Sequence, residues 1–140
     1  MTNRTTDNLG YTAEEIRARL AASTAAFVEN GRIGAEQISA MREAGIDRIE
    51  VFAARAPKHF DYRDRAQVSE IVRTCRSQGV EIVSMHGPMV PYASEDEEER
   101  RSAVAEALVA ARVAEEMGAR TMVCHFGADE RSEKTVIEML

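Results

Sequence analysis

Three stretches of the chain run through two hydrophobic periods in the same order. Apolar residues first recur at helical spacing: Ile38, Met41 and Ala44; then Val68, Ile71, Val72 and Cys75; then Val104, Leu108, Ala111, Val113 and Met117. Steps of three and four predominate and put most of each set along one side of a helix. Each set ends at a glycine, Gly45, Gly79 or Gly118, where a helix needs a left-handed residue to close. A β-rich run follows each time, ending Ile49-Glu50-Val51-Phe52, Ile82-Val83-Ser84-Met85-His86 and Met122-Val123-Cys124-His125. Helical crossovers of this length join parallel strands rather than hairpins. The pattern therefore predicts an α/β fold of parallel β-α units.

The flanks extend the plan. Thr12 and Glu15 have capping-box spacing, which starts a short helix. Residues 20–27 read as one more strand, with Asn30-Gly31 as the turn after it. Ser94, ahead of the acidic run Glu95 to Glu99, marks the start of the third long helix. That acidic run reads as a solvated helix start. After His125 come a loop over 127–133 and an amphipathic pattern over 133–140, with Val136, Ile137 and Leu140 on its apolar side. Residues 1–18 are expected to form a tail or short helix, and residues 19–140 one domain.

Composition narrows the class. With 44% hydrophobic and 30% charged residues among 140, the chain is expected to be a soluble single domain. No apolar run approaches a membrane span, and the N-terminus lacks a signal peptide, so a cytoplasmic location is expected. Cys75 and Cys124 form no CxxC or Cys/His spacing, which predicts buried, reduced thiols rather than a disulfide or structural zinc. A net charge of −6 speaks against nucleic acid as a partner. No GxGxxG, phosphate-binding loop or HExxH occurs, and the seven methionines read as core filler.

Chemistry gathers at the strand ends. Seven residues past the three glycines stand Phe52, His86 and His125; five past them stand Glu50, Ser84 and Val123. Side chains alternate along a strand, so Glu50, Ser84, His86 and His125 are expected on one face and at one end. Val83 and Met85 would face the helices. Parallel α/β folds bind ligands at the carboxyl ends of their strands. A glycine follows each histidine within two positions, as Gly87 and Gly127, which suits close approach by a ligand or the next loop. A single strand-end histidine could simply bond a neighbouring carbonyl; two in one register point to a pocket. Glu50 could bind a hydroxyl or assist proton transfer, or could instead pair with Arg48 or Arg120. His59 falls outside the register and reads as a loop residue. Cys124 would point away from His125, toward the helices.

The succession Ile49-Glu50-Val51, His86-Gly87-Pro88, Glu99-Arg100-Arg101-Ser102, Met117-Gly118-Ala119 and His125-Phe126-Gly127 resembles the xylose isomerase-like TIM barrels. That superfamily includes sugar phosphate isomerases and epimerases, inosose dehydratase-like enzymes and the endonuclease IV group. The resemblance implies a divalent metal (Mn, Mg or Zn), a small carbohydrate substrate, and proton transfer next to its carbonyl. Glu50, His86 and His125 would then be substrate-binding residues. His86 and His125 would be zinc ligands only in an endonuclease-like relative. A TIM barrel takes eight strands, whereas four β-α units are read here, the last incomplete. The first half of a barrel is therefore expected, with the general bases beyond Leu140 and little activity from the isolated chain. Such a half would leave strand edges open, which suits self-association, a complementary half-barrel, or a noncatalytic binding and assembly module.

Overall fold

The same backbone motif closes all three long helices in the computed structural model of the chain, which describes residues 10–54 and 56–125. Helices α2 (Ala35–Glu43), α3 (Arg65–Gln78) and α4 (Glu97–Met117) lead into strands β2 (Arg48–Phe52), β3 (Glu81–His86) and β4 (Thr121–Val123). At each junction the glycine N–H and the next N–H both reach back into the last turn: Gly45 to Arg42 and Ile46 to Met41, Gly79 to Arg76 and Val80 to Cys75, Gly118 to Glu115 and Ala119 to Ala114. This Schellman closure needs a positive φ at the glycine, and all three have one. The residue after it, Ile46, Val80 or Ala119, turns inward against the core.

Aspartates start the two longest helices. Asp64 caps α3 by accepting from Ala66 and Gln67, and Asp96 caps α4 by accepting from Glu98 and Glu99. Ser94 is thus not the cap of α4. It lies two residues earlier, where its hydroxyl donates to Glu99 and accepts from the Asp96 N–H. The Thr12–Glu15 capping box does open a short helix, α1 (Ala13–Arg17).

Among the described residues four parallel strands form one sheet in the order β1-β2-β3-β4, where β1 is only Ala22–Ser23. The strand expected over 20–27 is cut short because the chain turns at Thr24 into a 3-10 helix, Thr24–Asn30, matching the helical preference of its alanines. The pattern expected over 127–140 lies outside the described residues.

The core fills the space between one sheet face and the helices. Ile49 and Val51 of β2 and Ile82 and Met85 of β3 are buried there against Ile38, Met41, Val68, Ile71, Cys75, Val113 and Met117. Each such side chain contributes roughly 1.5–3 kcal/mol through burial. Val83 is not among them. A bulge puts Val83 between Ile82, paired with Ile49, and Ser84, paired with Glu50, so Ile82 rather than Val83 joins Met85 on the helix side. On α4, Leu108 is 56% exposed, and the buried face runs instead through Ala103, Ala110, Val113, Ala114 and Met117. The alanines allow this long helix to lie close to the sheet.

Candidate functional site

The sheet face turned away from the helices carries the polar strand-end residues. Along β2 burial alternates, with Ile49 and Val51 in the core and Arg48, Glu50 and Phe52 on the other face. Glu50 stands beside Ser84, and Phe52 beside His86. The neighbour of His86 on β4 is Val123, not His125. The expected common register is therefore wrong by two residues, and His125 lies just past the end of β4. A two-residue stagger between strands, of the kind barrels require, preserves which face a side chain takes. The two histidines consequently still meet. Their Nε2 atoms are 2.9 Å apart, and their rings stack with centroids 4.8 Å apart at 26°. At that contact one ring nitrogen donates a proton and the other accepts it.

Glu50 completes the row. Its Oε1 is 3.7 Å from His86 Nδ1, and its Oε2 accepts from the Ser84 hydroxyl at 3.4 Å. The glutamate and His86 side chains are each 19% exposed, shielded yet reachable. The alternative partners proposed for Glu50 are engaged elsewhere. Arg48 and Arg120 both turn to Glu81, at 3.2 and 3.6 Å, near the opposite end of the strands. Arg48 also donates to the Ala18 carbonyl. A concavity of about 870 Å³ opens at that amino end, with Arg48, Glu81 and Arg120 in its wall. The charges there serve the sheet's base, since barrel ligands gather at the other end.

Other expectations change. His59 does belong to a loop, but it is fully buried: Nδ1 donates to the Gly31 carbonyl at 2.9 Å, and Nε2 faces the Thr24 hydroxyl at 3.3 Å. The space left by the missing side chain of Gly87 is taken by β4 rather than by a ligand. A Cβ there would stand 3.0 Å from the Val123 carbonyl, which accepts the Gly87 N–H at 2.9 Å. Gly127 lies outside the described residues. Cys75 is buried as expected, and burial pushes its thiol up to about 11. Cys124 stays out of the helix-side core. It is half-buried near the Tyr92 hydroxyl, whose pKa rises well above the usual phenol range through burial and then through the neighbouring Cys124 thiol.

Two residues around the site were not singled out as functional from the sequence. Phe52 sets its ring 4.8 Å from that of His86, tilted by 57°, and Thr24 receives the Phe52 N–H at 2.9 Å. Phe52 occupied the same register as the histidines but lacked ionisable chemistry. Thr24 sat in a stretch that read as strand.

The donor set does not fit a complete divalent-metal site. Zinc needs three or more protein ligands, whereas the imidazoles offer two converging nitrogens, and Glu50 approaches His86 from its other nitrogen. Among the described residues no group of three His, Cys, Asp or Glu side chains could hold a metal ion. Nor is any described helix long and apolar enough to cross a membrane.

A parallel sheet backed by helices, with imidazoles and a carboxylate at its carboxyl end, defines part of a β/α barrel with a polar mouth. The sequence profile of the xylose isomerase-like TIM barrels matches residues 38–140, and the chain belongs to that family. No curated protein matches the chain significantly.

Proposed function

We propose that Glu50, His86 and His125 form the substrate-binding wall of a sugar or sugar phosphate isomerase or epimerase-like barrel. The observation that carries this reading is the position of Glu50. Its carboxylate faces His86 and Ser84, while the arginines able to neutralise it are paired with Glu81. A carboxylate facing imidazole and hydroxyl groups rather than an arginine, at the mouth of a barrel, suits a neutral polyhydroxyl ligand. Glu50 would accept from one hydroxyl. The imidazole pair would donate to a carbonyl or hydroxyl oxygen and accept from the next hydroxyl, while Phe52 offers an apolar face to the sugar's carbons. Family members generally use a divalent metal on small sugars. The described residues of this chain would bind and orient the ligand; they supply no full metal shell.

Saturation-transfer NMR with a panel of pentoses, hexoses and their phosphates tests the reading. At least one panel member should bind the intact chain and lose its signal with Glu50→Gln. Binding indifferent to Glu50, or no binding across the panel, would reject it.

The sheet's two edges favour a second reading. β1 and β4 bound an unclosed sheet among the described residues, and Val123 on its inner face is 37% exposed. A second copy or a complementary half-barrel would cover both, making the chain an assembly module. Light scattering separates the readings, because a cooperatively unfolding monomer contradicts assembly.

A further inference from the structure

Behind the strand-end row lies a second polar cluster that takes no direct part in it. Thr24, His59 and Gln67 are buried, with exposures of 0, 0 and 1%. Burying polar side chains is costly unless every group finds a partner, and here each does. Gln67 accepts from the Asp61 N–H at 2.9 Å and donates to the carbonyls of Ile33 and His59 at 2.9 and 3.3 Å. The Ile33 N–H bonds the His59 carbonyl at 2.9 Å, so the loop carrying His59 is held from both sides.

The direction of the chain of bonds can be read from its ends. The Gly31 carbonyl can only accept, so His59 Nδ1 carries the proton there. In the neutral ring His59 Nε2 then accepts from the Thr24 hydroxyl, which leaves the Thr24 oxygen to accept from the Phe52 N–H. In the sheet, Ser23 pairs with Glu50 and β1 stops. Thr24 therefore supplies, from a side chain, the acceptor that a longer β1 would supply from its backbone. The Ala53 N–H, one residue on, bonds the His86 carbonyl at 2.8 Å. Phe52 is thus fixed on both sides, with its ring 6.3 Å from His59 and 4.8 Å from His86.

We propose that Thr24 and His59 are positioning residues: they hold Phe52 so that its ring keeps the His86 imidazole turned toward His125. The inference rests on the reading of His86 and His125 as the ligand wall. It adds that the wall is set from behind, by a buried relay that no ligand touches. The relay also explains how β1 can end after two residues without releasing the end of β2. A purely structural relay would stabilise the loop and leave the His86 ring indifferent to it.

The test compares Thr24→Val, which keeps the shape and removes the hydroxyl, with Thr24→Ser, which keeps the hydroxyl. Ring-to-ring nuclear Overhauser contacts of Phe52 with His86 and of His86 with His125 are measured beside sugar saturation transfer. Thr24→Val should retain a dispersed spectrum, lose both ring contacts, and weaken sugar binding by about tenfold, since small misplacements are costly at a preorganised site. Thr24→Ser should keep the ring contacts, and His59→Gln should behave like Thr24→Val. A folded Thr24→Val with both ring contacts intact overturns the proposal. If Thr24→Val does not fold, Thr24→Ala replaces it, and ring contacts equal to those of Thr24→Ser overturn the proposal equally. Loss of binding in His86→Ala alone would reject the positioning role and leave the ligand wall standing. Ring contacts that respond to Thr24 while no sugar binds would do the reverse.

Discussion

His86 and His125 touch through their Nε2 atoms at 2.9 Å although the β3–β4 pairing places His86 beside Val123. Contact across a staggered register means that neither ring is simply satisfied by its own strand's neighbour. His86→Ala should therefore weaken sugar binding while lowering stability by less than about 3 kcal/mol, the range of losses typical of ordinary substitutions. Denaturant unfolding beside ligand titration reads both quantities. A larger loss of stability with unchanged binding would make His86 a core residue.

Glu50 and Glu81 offer a matched pair of carboxylates on neighbouring strands with different partners. Glu81→Gln removes the shared partner of Arg48 and Arg120, both solvent-accessible ion pairs, and should cost at most about 1 kcal/mol without affecting ligand. Glu50→Gln should leave stability nearly unchanged and reduce binding. Equal effects of the two substitutions on binding would contradict the separation between the strands' two ends.

Gly87 ties β3 to β4 by its lack of a side chain. Gly87→Ala would drive a Cβ to 3.0 Å from the Val123 carbonyl and 3.3 Å from the Met122 side chain. Backbone cannot yield as a flexible side chain does, so the expected cost is about 1–3 kcal/mol, with β4 displaced. Thermal unfolding should show the loss, and the His86–His125 ring contact should weaken with it. Unchanged stability would mean that the strands separate freely at this point.

Much of this geometry was legible beforehand, for identifiable reasons. Helix ends were readable because each Schellman closure needs the glycine that the sequence shows, and the α/β plan followed from the repeat. The face shared by Glu50, Ser84 and His86 followed from alternation. Alternation could not foresee the bulge at Val83 or the two-residue shift of β4, because both depend on how neighbouring strands pair rather than on either strand alone. Leu108 was assigned to the buried side by hydrophobicity, yet on α4 the small alanines, not the leucine, meet the sheet. His59 reads from sequence only as a loop residue because its partners, Thr24 and Gly31, are distant in sequence.

Tyr62, Arg63 and Glu106 should shape the pH dependence of stability. Glu106 accepts from the Tyr62 hydroxyl and pairs with Arg63, and these hold its carboxyl below the ordinary value of 4.5. A depressed folded pKa contributes stability that is present above 4.5 and lost as pH falls through the folded value. Tyr62 moves the other way, from 10.0 up to about 12, through burial and then Glu106. Its contribution is complete below pH 10 and lost as pH rises toward 12. Denaturation midpoints across pH should fall less steeply in acid for Glu106→Gln. In alkali Tyr62→Phe should flatten the slope in part, since Tyr92 also has a raised pKa. Profiles parallel to the unmodified chain would contradict these assignments.

The account stands on Glu50, His86 and His125 acting as one ligand-facing unit, and imidazole ¹⁵N–¹H correlation spectra recorded during a sugar titration test that directly. The panel member that binds should shift the ring resonances of His86 and His125 together, with the same midpoint, and Glu50→Gln should weaken both responses equally. Rings that stay fixed while sugar binds, or that respond with different midpoints, would contradict a common site.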